Sequence, residues 1–68
     1  MEIFSKRLRE LREEMNLVQK ELAFALGISQ RMLSHYERNE SEPNAELLLK
    51  ISNFFNVSID YLLGKTDI

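Results

Sequence analysis

Gly27 separates two short segments in which apolar residues recur at helical spacing, and this arrangement constrains the fold more than any other feature. In the segment before it, Leu22 and Leu26 lie one turn apart, which predicts a short helix with one buried face. Leu33 and Tyr36 have the same relation in the segment after it. Glycine adopts a positive φ without steric cost, so it can end a helix at a sharp turn. The sequence therefore predicts two short helices joined by a tight connector.

The residue sizes around this connector also fit two steeply crossed helices. A small side chain at Ala23 lets the helices approach closely, and Gly27 supplies the turn. Counted from Gln19 as position one, Ala23 is fifth, Gly27 ninth, Leu33 fifteenth and Tyr36 eighteenth. The apolar residues that would fill the angle between the helices are Leu22, Leu26, Ile28, Leu33 and Tyr36. A three-residue connector containing glycine is typical of a helix-turn-helix.

The rest of the chain shows helical rather than strand periodicity, because no segment alternates between apolar and polar residues. An apolar stripe that starts at Ile3 or Phe4 and continues to Met15 predicts a first helix. Asn44 and Ser58 are candidate N-caps for a fourth and a fifth helix, as Ser29 is for the third. The predicted fold class is all-α, a compact five-helix domain in which the second and third helices form the helix-turn-helix.

The length of 68 residues predicts a single domain over 1–68, in which 65–68 are expected to form a frayed tail. The chain has no cysteine and one histidine, so neither a disulfide nor a zinc site is expected. It also lacks a glycine-rich phosphate loop and a nucleophile paired with a base. We therefore expect no enzymatic activity and no cofactor.

Apolar runs are short, among them 23–26 and 47–49, and cannot cross a membrane. The charged N-terminal residues do not resemble a signal peptide. We therefore expect a cytoplasmic domain with no membrane partner and no evident small-molecule ligand.

The net charge of −2 does not by itself indicate a nucleic-acid partner, but the charges are unevenly distributed. Acidic residues follow Arg38, at Glu40, Glu42 and Glu46. Cationic residues cluster near the N-terminus, at Lys6, Arg7, Arg9 and Arg12. On composition alone, the first three of these cations form a solvated helix face.

The sequence from Leu8 to Gly64 resembles the Cro/repressor type of helix-turn-helix domain, which lambdoid phage repressors share with xenobiotic-response-element-like bacterial regulators. The matching text is "LRELREEMNLVQKELAFALGISQRMLSHYERNESEPNAELLLKISNFFNVSIDYLLG". The segments "QKELA", "LGIS", "LSHYE" and "FNVSIDYLLG" are hallmarks of that family. The resemblance covers nearly the whole chain and is specific for the fold and the family.

The resemblance implies a sequence-specific transcriptional regulator, a repressor that places its third helix in the major groove of double-stranded DNA. Gln30, Arg31 and His35 are then the candidate base readers, because glutamine pairs well with adenine and arginine with guanine. Gln19 at the start of the second helix is a candidate phosphate contact. The remaining DNA-contact candidates are Ser34 and Arg38.

The resemblance also assigns structural roles. Arg12 and Glu37 match an ion pair that joins the first and third helices in relatives. Family members bind inverted-repeat operators as dimers, often through their fourth and fifth helices. The candidate dimer contacts are Phe54, Ile59 and Leu63, with completion of the core as the alternative role.

Two departures from the family pattern bear on function. Val18 stands where relatives carry Ser or Thr, so the side-chain cap of the second helix is lost. In the loop after the third helix, Asn39 replaces a common glycine and can adopt its positive φ. Glu40 and Glu42 replace basic residues there and would repel phosphate. An alternative function is therefore an interaction module, or an antitoxin-like component, that presents the same fold to a protein.

Overall fold

The computed structural model describes all residues from 1 to 68 and contains five helices and no strand. In chain order, the helices are α1 (Glu2–Glu14), α2 (Gln19–Leu26), α3 (Gln30–Glu37), α4 (Ala45–Phe55) and α5 (Ile59–Leu62). The prediction of an all-α five-helix domain is confirmed. None of these helices combines the length and the apolar character that a membrane span requires.

Side-chain caps explain where three of the helices begin. Ser29, Asn44 and Ser58 each accept a hydrogen bond from the backbone amide three residues later, at 3.0, 2.8 and 2.9 Å. Val18 precedes α2 and has no side-chain oxygen, so this cap is absent, as predicted. Instead, the Glu21 carboxylate accepts a hydrogen bond from the Val18 amide at 2.9 Å. This contact is one half of a capping box and satisfies one backbone donor at the start of the helix.

Residues in the left-handed backbone region end several of the helices. Gly27 ends α2 with φ at 73°, which produces the predicted sharp turn. Three asparagines adopt the same region without being glycine: Asn16, Asn39 and Asn56, with φ of 57°, 60° and 55°. Asparagine tolerates this conformation because its short side chain bonds locally. The chain therefore changes direction sharply after its helices while containing only two glycines.

The core lies where α2 and α3 cross and is closed by the other three helices. Ala23 is 2% exposed at this crossing, in agreement with the need for a small side chain. The largest fully buried side chains are Phe4, Leu8, Leu22, Leu33, Ile51 and Leu62. They come from all five helices, so the apolar face of α3 is fully covered and its polar face remains on the surface.

Two contacts made by α1 were not anticipated. The buried Ser5 hydroxyl donates a hydrogen bond to the Tyr36 carbonyl oxygen at 2.6 Å and joins α1 to α3. The Arg7 guanidinium lies 4.2 Å from the centre of the Tyr61 ring and donates to the Tyr61 and Thr66 carbonyl oxygens, the latter at 2.8 Å. The assignment of Arg7 to a solvated helix face is therefore wrong.

The final residues lie against α1 at one point. Thr66 is half-buried and accepts the hydrogen bond from Arg7, and the Lys65 amide donates to the Asp60 carbonyl oxygen at 2.8 Å. The frayed tail over 65–68 remains a prediction from sequence.

Candidate nucleic-acid interface

All six predicted DNA contacts line one shallow surface groove along α3. Four of them lie on α3 itself, one begins α2 and one is the C-cap of α3. The six residues are Gln19, Gln30, Arg31, Ser34, His35 and Arg38, and no apolar side chain lines the groove with them. The fold therefore gathers side chains separated by up to nineteen positions into one polar surface that can donate and accept hydrogen bonds.

The α3 helix has the size and the orientation that a groove-reading helix needs. An α-helix with its side chains is about 10–12 Å across, which matches the width of about 12 Å of the B-DNA major groove. Leu33 and Tyr36 hold its inner face in the core, while Gln30 and Arg31 are exposed at its N-terminal end. These two side chains make no hydrogen bond within the chain, so their donors and acceptors are free for a partner. Met32 beside them is 39% exposed.

A buried ion pair fixes α3 against α1 and α2. Arg12 donates to both carboxylate oxygens of Glu37, from Nε at 2.7 Å and from Nη2 at 3.0 Å. Arg12 Nη1 donates a third hydrogen bond to the Leu17 carbonyl oxygen at 2.8 Å. The Glu37 side chain is 3% exposed and the Arg12 side chain 13%. The hydrogen bond with Glu37 raises the pKa of Arg12, because it favours the charged guanidinium.

Gln19 takes part in this buried network, a role that the sequence did not indicate. Its amide Nε2 donates to Glu37 Oε1 at 3.1 Å, so three donors converge on one carboxylate. Gln19 still lines the groove and is half-buried. The structure therefore links the start of α2 to the end of α3 through the side chain that was predicted to contact the DNA backbone.

Glu40 is the residue at this surface whose role sequence reasoning missed. One of its carboxylate oxygens, Oε1, lies 2.7 Å from His35 Nδ1 and 3.1 Å from Arg38 Nη2. An ionised carboxylate can only accept, so the histidine ring and the guanidinium both donate to it. The acidic loop thus carries its charge directly onto two of the predicted DNA contacts.

The backbone after α3 explains this position of Glu40. The Glu40 amide donates to the His35 carbonyl oxygen at 2.9 Å, and the Asn39 amide donates to the Tyr36 carbonyl oxygen at 3.3 Å. Together with the left-handed Asn39, these two bonds form a Schellman motif that turns the chain back over the last helical turn. The positive φ predicted for Asn39 was the signal from which this contact could have been inferred.

The contacts also change the acidity of Glu40. The hydrogen bond from His35 is the largest influence and lowers the pKa of this carboxyl below its ordinary value of 4.5. Desolvation opposes this lowering, and the charge of Arg38 adds to it. The carboxylate is therefore ionised at neutral pH and remains an acceptor for both donors.

The three predicted dimer contacts differ in exposure. Phe54 is 38% exposed and meets Phe55 edge to face, with ring centres 5.0 Å apart. Ile59 and Leu63 are half-buried at the two ends of α5. All three retain apolar surface that a second copy could cover. The most exposed aromatic side chain lies elsewhere, at Phe24 on α2, which is 88% exposed.

Proteins of similar sequence identify the family of the chain. A family profile described as helix-turn-helix matches residues 8–62. The transcriptional regulator ImmR of Bacillus subtilis is 49% identical over 63 residues, which are 93% of this chain and 50% of that protein. Repressor protein C2 of Salmonella phage P22 is 37% identical over 62 residues, which are 91% of this chain and 29% of that protein. The chain spans about half the length, or less, of these curated relatives.

Solved structures show the same arrangement of helices. The crystal structure of the P22 c2 repressor in complex with a synthetic operator superposes with a TM-score of 0.82 at 37% identity, over 87% of this chain and 89% of that one. A transcriptional regulator from Listeria innocua gives a TM-score of 0.85 at 31% identity, over 90% of this chain and 57% of that one. The predicted resemblance is confirmed: the chain belongs to the Cro/repressor-type helix-turn-helix family.

Proposed function

We propose that this chain is a sequence-specific DNA-binding transcriptional regulator, a repressor that reads an inverted-repeat operator as a dimer with α3 in the major groove. The observation that supports this most directly is the single polar groove that contains all six predicted contacts. The relative crystallised with an operator has the same helix arrangement at 37% identity. Such a regulator acts in the cytoplasm of a bacterial cell, where its operator is accessible.

The proposal divides the groove into base-reading and phosphate-binding parts. Gln30 and Arg31 are exposed and unpaired, so they can each make two hydrogen bonds to adenine and guanine. The α2 N-terminus with Gln19 faces the DNA backbone, where helix termini favour phosphate. Arg38 beyond α3 supplies a cation for a neighbouring phosphate.

Selection of bound duplexes from a random pool at two salt concentrations tests the proposal. A regulator of this kind enriches an inverted repeat whose half-sites lie about one helical turn apart. The variant Gln30→Ala with Arg31→Ala is then expected to lose at least about tenfold in affinity for the selected sequence and little for random duplex.

A matched control removes one amide and one cation outside the α3 groove. Asn53 and Lys50 are exposed on α4 and line a different groove. The variant Asn53→Ala with Lys50→Ala should bind the selected duplex as the unaltered protein does. If no sequence competes better than random duplex, or if both double variants lose affinity equally, sequence-specific recognition by α3 is refuted.

The dimer is a separate part of the proposal. Phe54 on α4 has exposed apolar surface, and Ile59 at the start of α5 and Leu63 just after α5 are half-buried. Sedimentation of Phe54→Ser is expected to show a weaker dimer at unchanged helicity, because this surface no longer gains from burial. An unchanged dissociation constant would place the dimer contact elsewhere.

The alternative, a module that binds a protein through the acidic loop, draws on the exposed carboxylates of Glu42 and Glu46. Glu40 adds less to such a surface, because one of its carboxylate oxygens already accepts hydrogen bonds from His35 and Arg38. A stable protein partner in a pull-down, together with no selected DNA sequence, would favour this alternative.

A further inference from the structure

The contact of Glu40 with two groove residues is a preformed anion site that the chain fills with its own side chain. Two donors of different chemistry, an imidazole N–H and a guanidinium N–H, converge on one carboxylate oxygen at 2.7 and 3.1 Å. Glu40 and Arg38 retain 49% and 58% of their side-chain exposure, so solvent and ligands reach both groups. The Glu40 carboxylate oxygen marks the position in which these two donors hold an acceptor.

We propose that His35 and Arg38 form a clamp for one DNA backbone phosphate, and that Glu40 is an internal competitor which duplex DNA must displace. The inference rests on the proposed DNA-binding function and adds to it a specific phosphate contact and a limit on its strength. A phosphate oxygen accepts the same two hydrogen bonds that the carboxylate oxygen accepts. Displacement turns Glu40 away from the helix by side-chain rotation, since its backbone bond to His35 does not involve the carboxylate.

The neighbouring charges favour exchange of one anion for another. Lys6, Arg9 and Arg38 line an adjacent groove. Its two carboxylates are Glu2 and Glu37, and Glu37 is paired with Arg12, so cations outnumber unpaired carboxylates beside the clamp. The Schellman motif holds the backbone of Glu40, so its carboxylate stays close to both donors. It therefore competes with phosphate at a high effective concentration. The chain thus carries a built-in reduction of its affinity for DNA at the end of the recognition helix.

Glu40→Ala tests the inference, because it empties the clamp, and Glu42→Ala is the matched control. Glu42 is exposed two residues away and makes no hydrogen bond or ion pair within the chain. Both variants remove one negative charge from the same loop, but only the first removes the competitor. Affinity for the selected duplex and for random duplex is measured from about 50 to about 200 mM salt, the range over which phosphate contacts have their full effect.

Glu40→Ala is expected to bind both duplexes more tightly than Glu42→Ala does. Part of the complexes of the unaltered protein keep Glu40 on the clamp and lack this phosphate contact, so Glu40→Ala steepens the slope of log affinity against log salt by up to about 0.9. The gain of Glu40→Ala should therefore shrink by up to about threefold between the two salt concentrations, while Glu42→Ala keeps the slope of the unaltered protein. Addition of Arg38→Ala should abolish the extra gain of Glu40→Ala.

Equal gains in the two variants would overturn the inference, because net charge would then account for both. Weaker binding by Glu40→Ala would also overturn it and would make Glu40 a residue that positions His35 and Arg38 for DNA.

If neither protein binds any duplex, the proposed function fails, but the clamp is still tested by titration with inorganic phosphate. His35 is the only histidine, so its ring protons give a single set of resonances by NMR. Phosphate should shift them in Glu40→Ala and leave them nearly unchanged in the unaltered protein. An equal response of the two proteins would refute the clamp.

Discussion

Replacing Glu37 by glutamine tests the buried network that fixes the recognition helix. The carboxylate accepts three hydrogen bonds, two from Arg12 and one from Gln19, and its side chain is 3% exposed. An amide of the same shape can accept at one position only and places its NH2 group against the Arg12 donors. The buried guanidinium then lacks its counter-charge.

The expected loss in the free energy of unfolding is about 3 kcal/mol, the lower end of the cost of breaking a buried pair. The lower end applies because Arg12 keeps 13% exposure and its bond to the Leu17 carbonyl oxygen. At about 0.05–0.15 kcal/mol per residue, a 68-residue domain has a total stability of about 3–10 kcal/mol. The variant should therefore melt at least about 12 °C lower and retain about 0–7 kcal/mol of stability.

Urea unfolding followed by circular dichroism measures this loss, and Glu46→Gln is the control. Glu46 makes an exposed pair with Lys50 at 3.8 Å, and its side chain is 80% exposed. The same chemical change there should cost no more than about 0.5 kcal/mol. Adding Arg12→Met to Glu37→Gln should recover part of the loss, because no buried cation remains unpaired. Equal losses for Glu37→Gln and Glu46→Gln would refute the reasoning that burial decides the cost.

Two further predictions concern the ends of the α3 and α2 helices. The pKa of Glu40 measured by NMR should lie below 4.5 and rise toward that value in His35→Ala, because the lost hydrogen bond is the largest cause of the lowering. Because the pKa of Glu40 is lowered in the folded state, its contribution to stability is present above its unfolded-state pKa and is lost as the pH falls through the folded-state pKa. A stability difference between the unaltered protein and His35→Ala that persists below that pH would contradict this. Gly27→Ala should lower the free energy of unfolding by about 1–2 kcal/mol because of the φ of 73° alone, since the added methyl group would meet only Lys50 Nζ at 3.9 Å. Gly27→Asn should lower it by less, because asparagine tolerates a positive φ. Equal losses in the two variants would show that side-chain packing decides instead.

Local order in this protein is readable from sequence because its determinants lie within a few positions of one another. The caps at Ser29, Asn44 and Ser58 act on amides three residues away. Apolar residues at helical spacing define the buried face of each helix, and Gly27 and Asn39 set the turns that follow. The apolar pattern likewise assigns the inner face of α3, whereas the DNA-contact role of its outer face is implied by the family resemblance.

Only the tertiary structure decided which polar side chains meet across the fold. Composition places Arg7 on a solvated face, yet it bonds to carbonyl oxygens more than fifty positions away. Gln19 gained a buried partner because α2 and α3 cross where Glu37 lies. Glu40 was expected to repel phosphate by charge alone, and the left-handed Asn39 instead brings its carboxylate onto His35 and Arg38.

The physical reason for this division is range. Helix propensity, capping and periodicity act between neighbours in the chain, whereas ion pairs and hydrogen bonds of long side chains depend on distances that only the packed core sets. The sequence alone was enough to predict the family, the five helices and the polar face that we propose to meet DNA. The packing determined how much of that surface is free, since the chain satisfies part of it with its own Glu37 and Glu40.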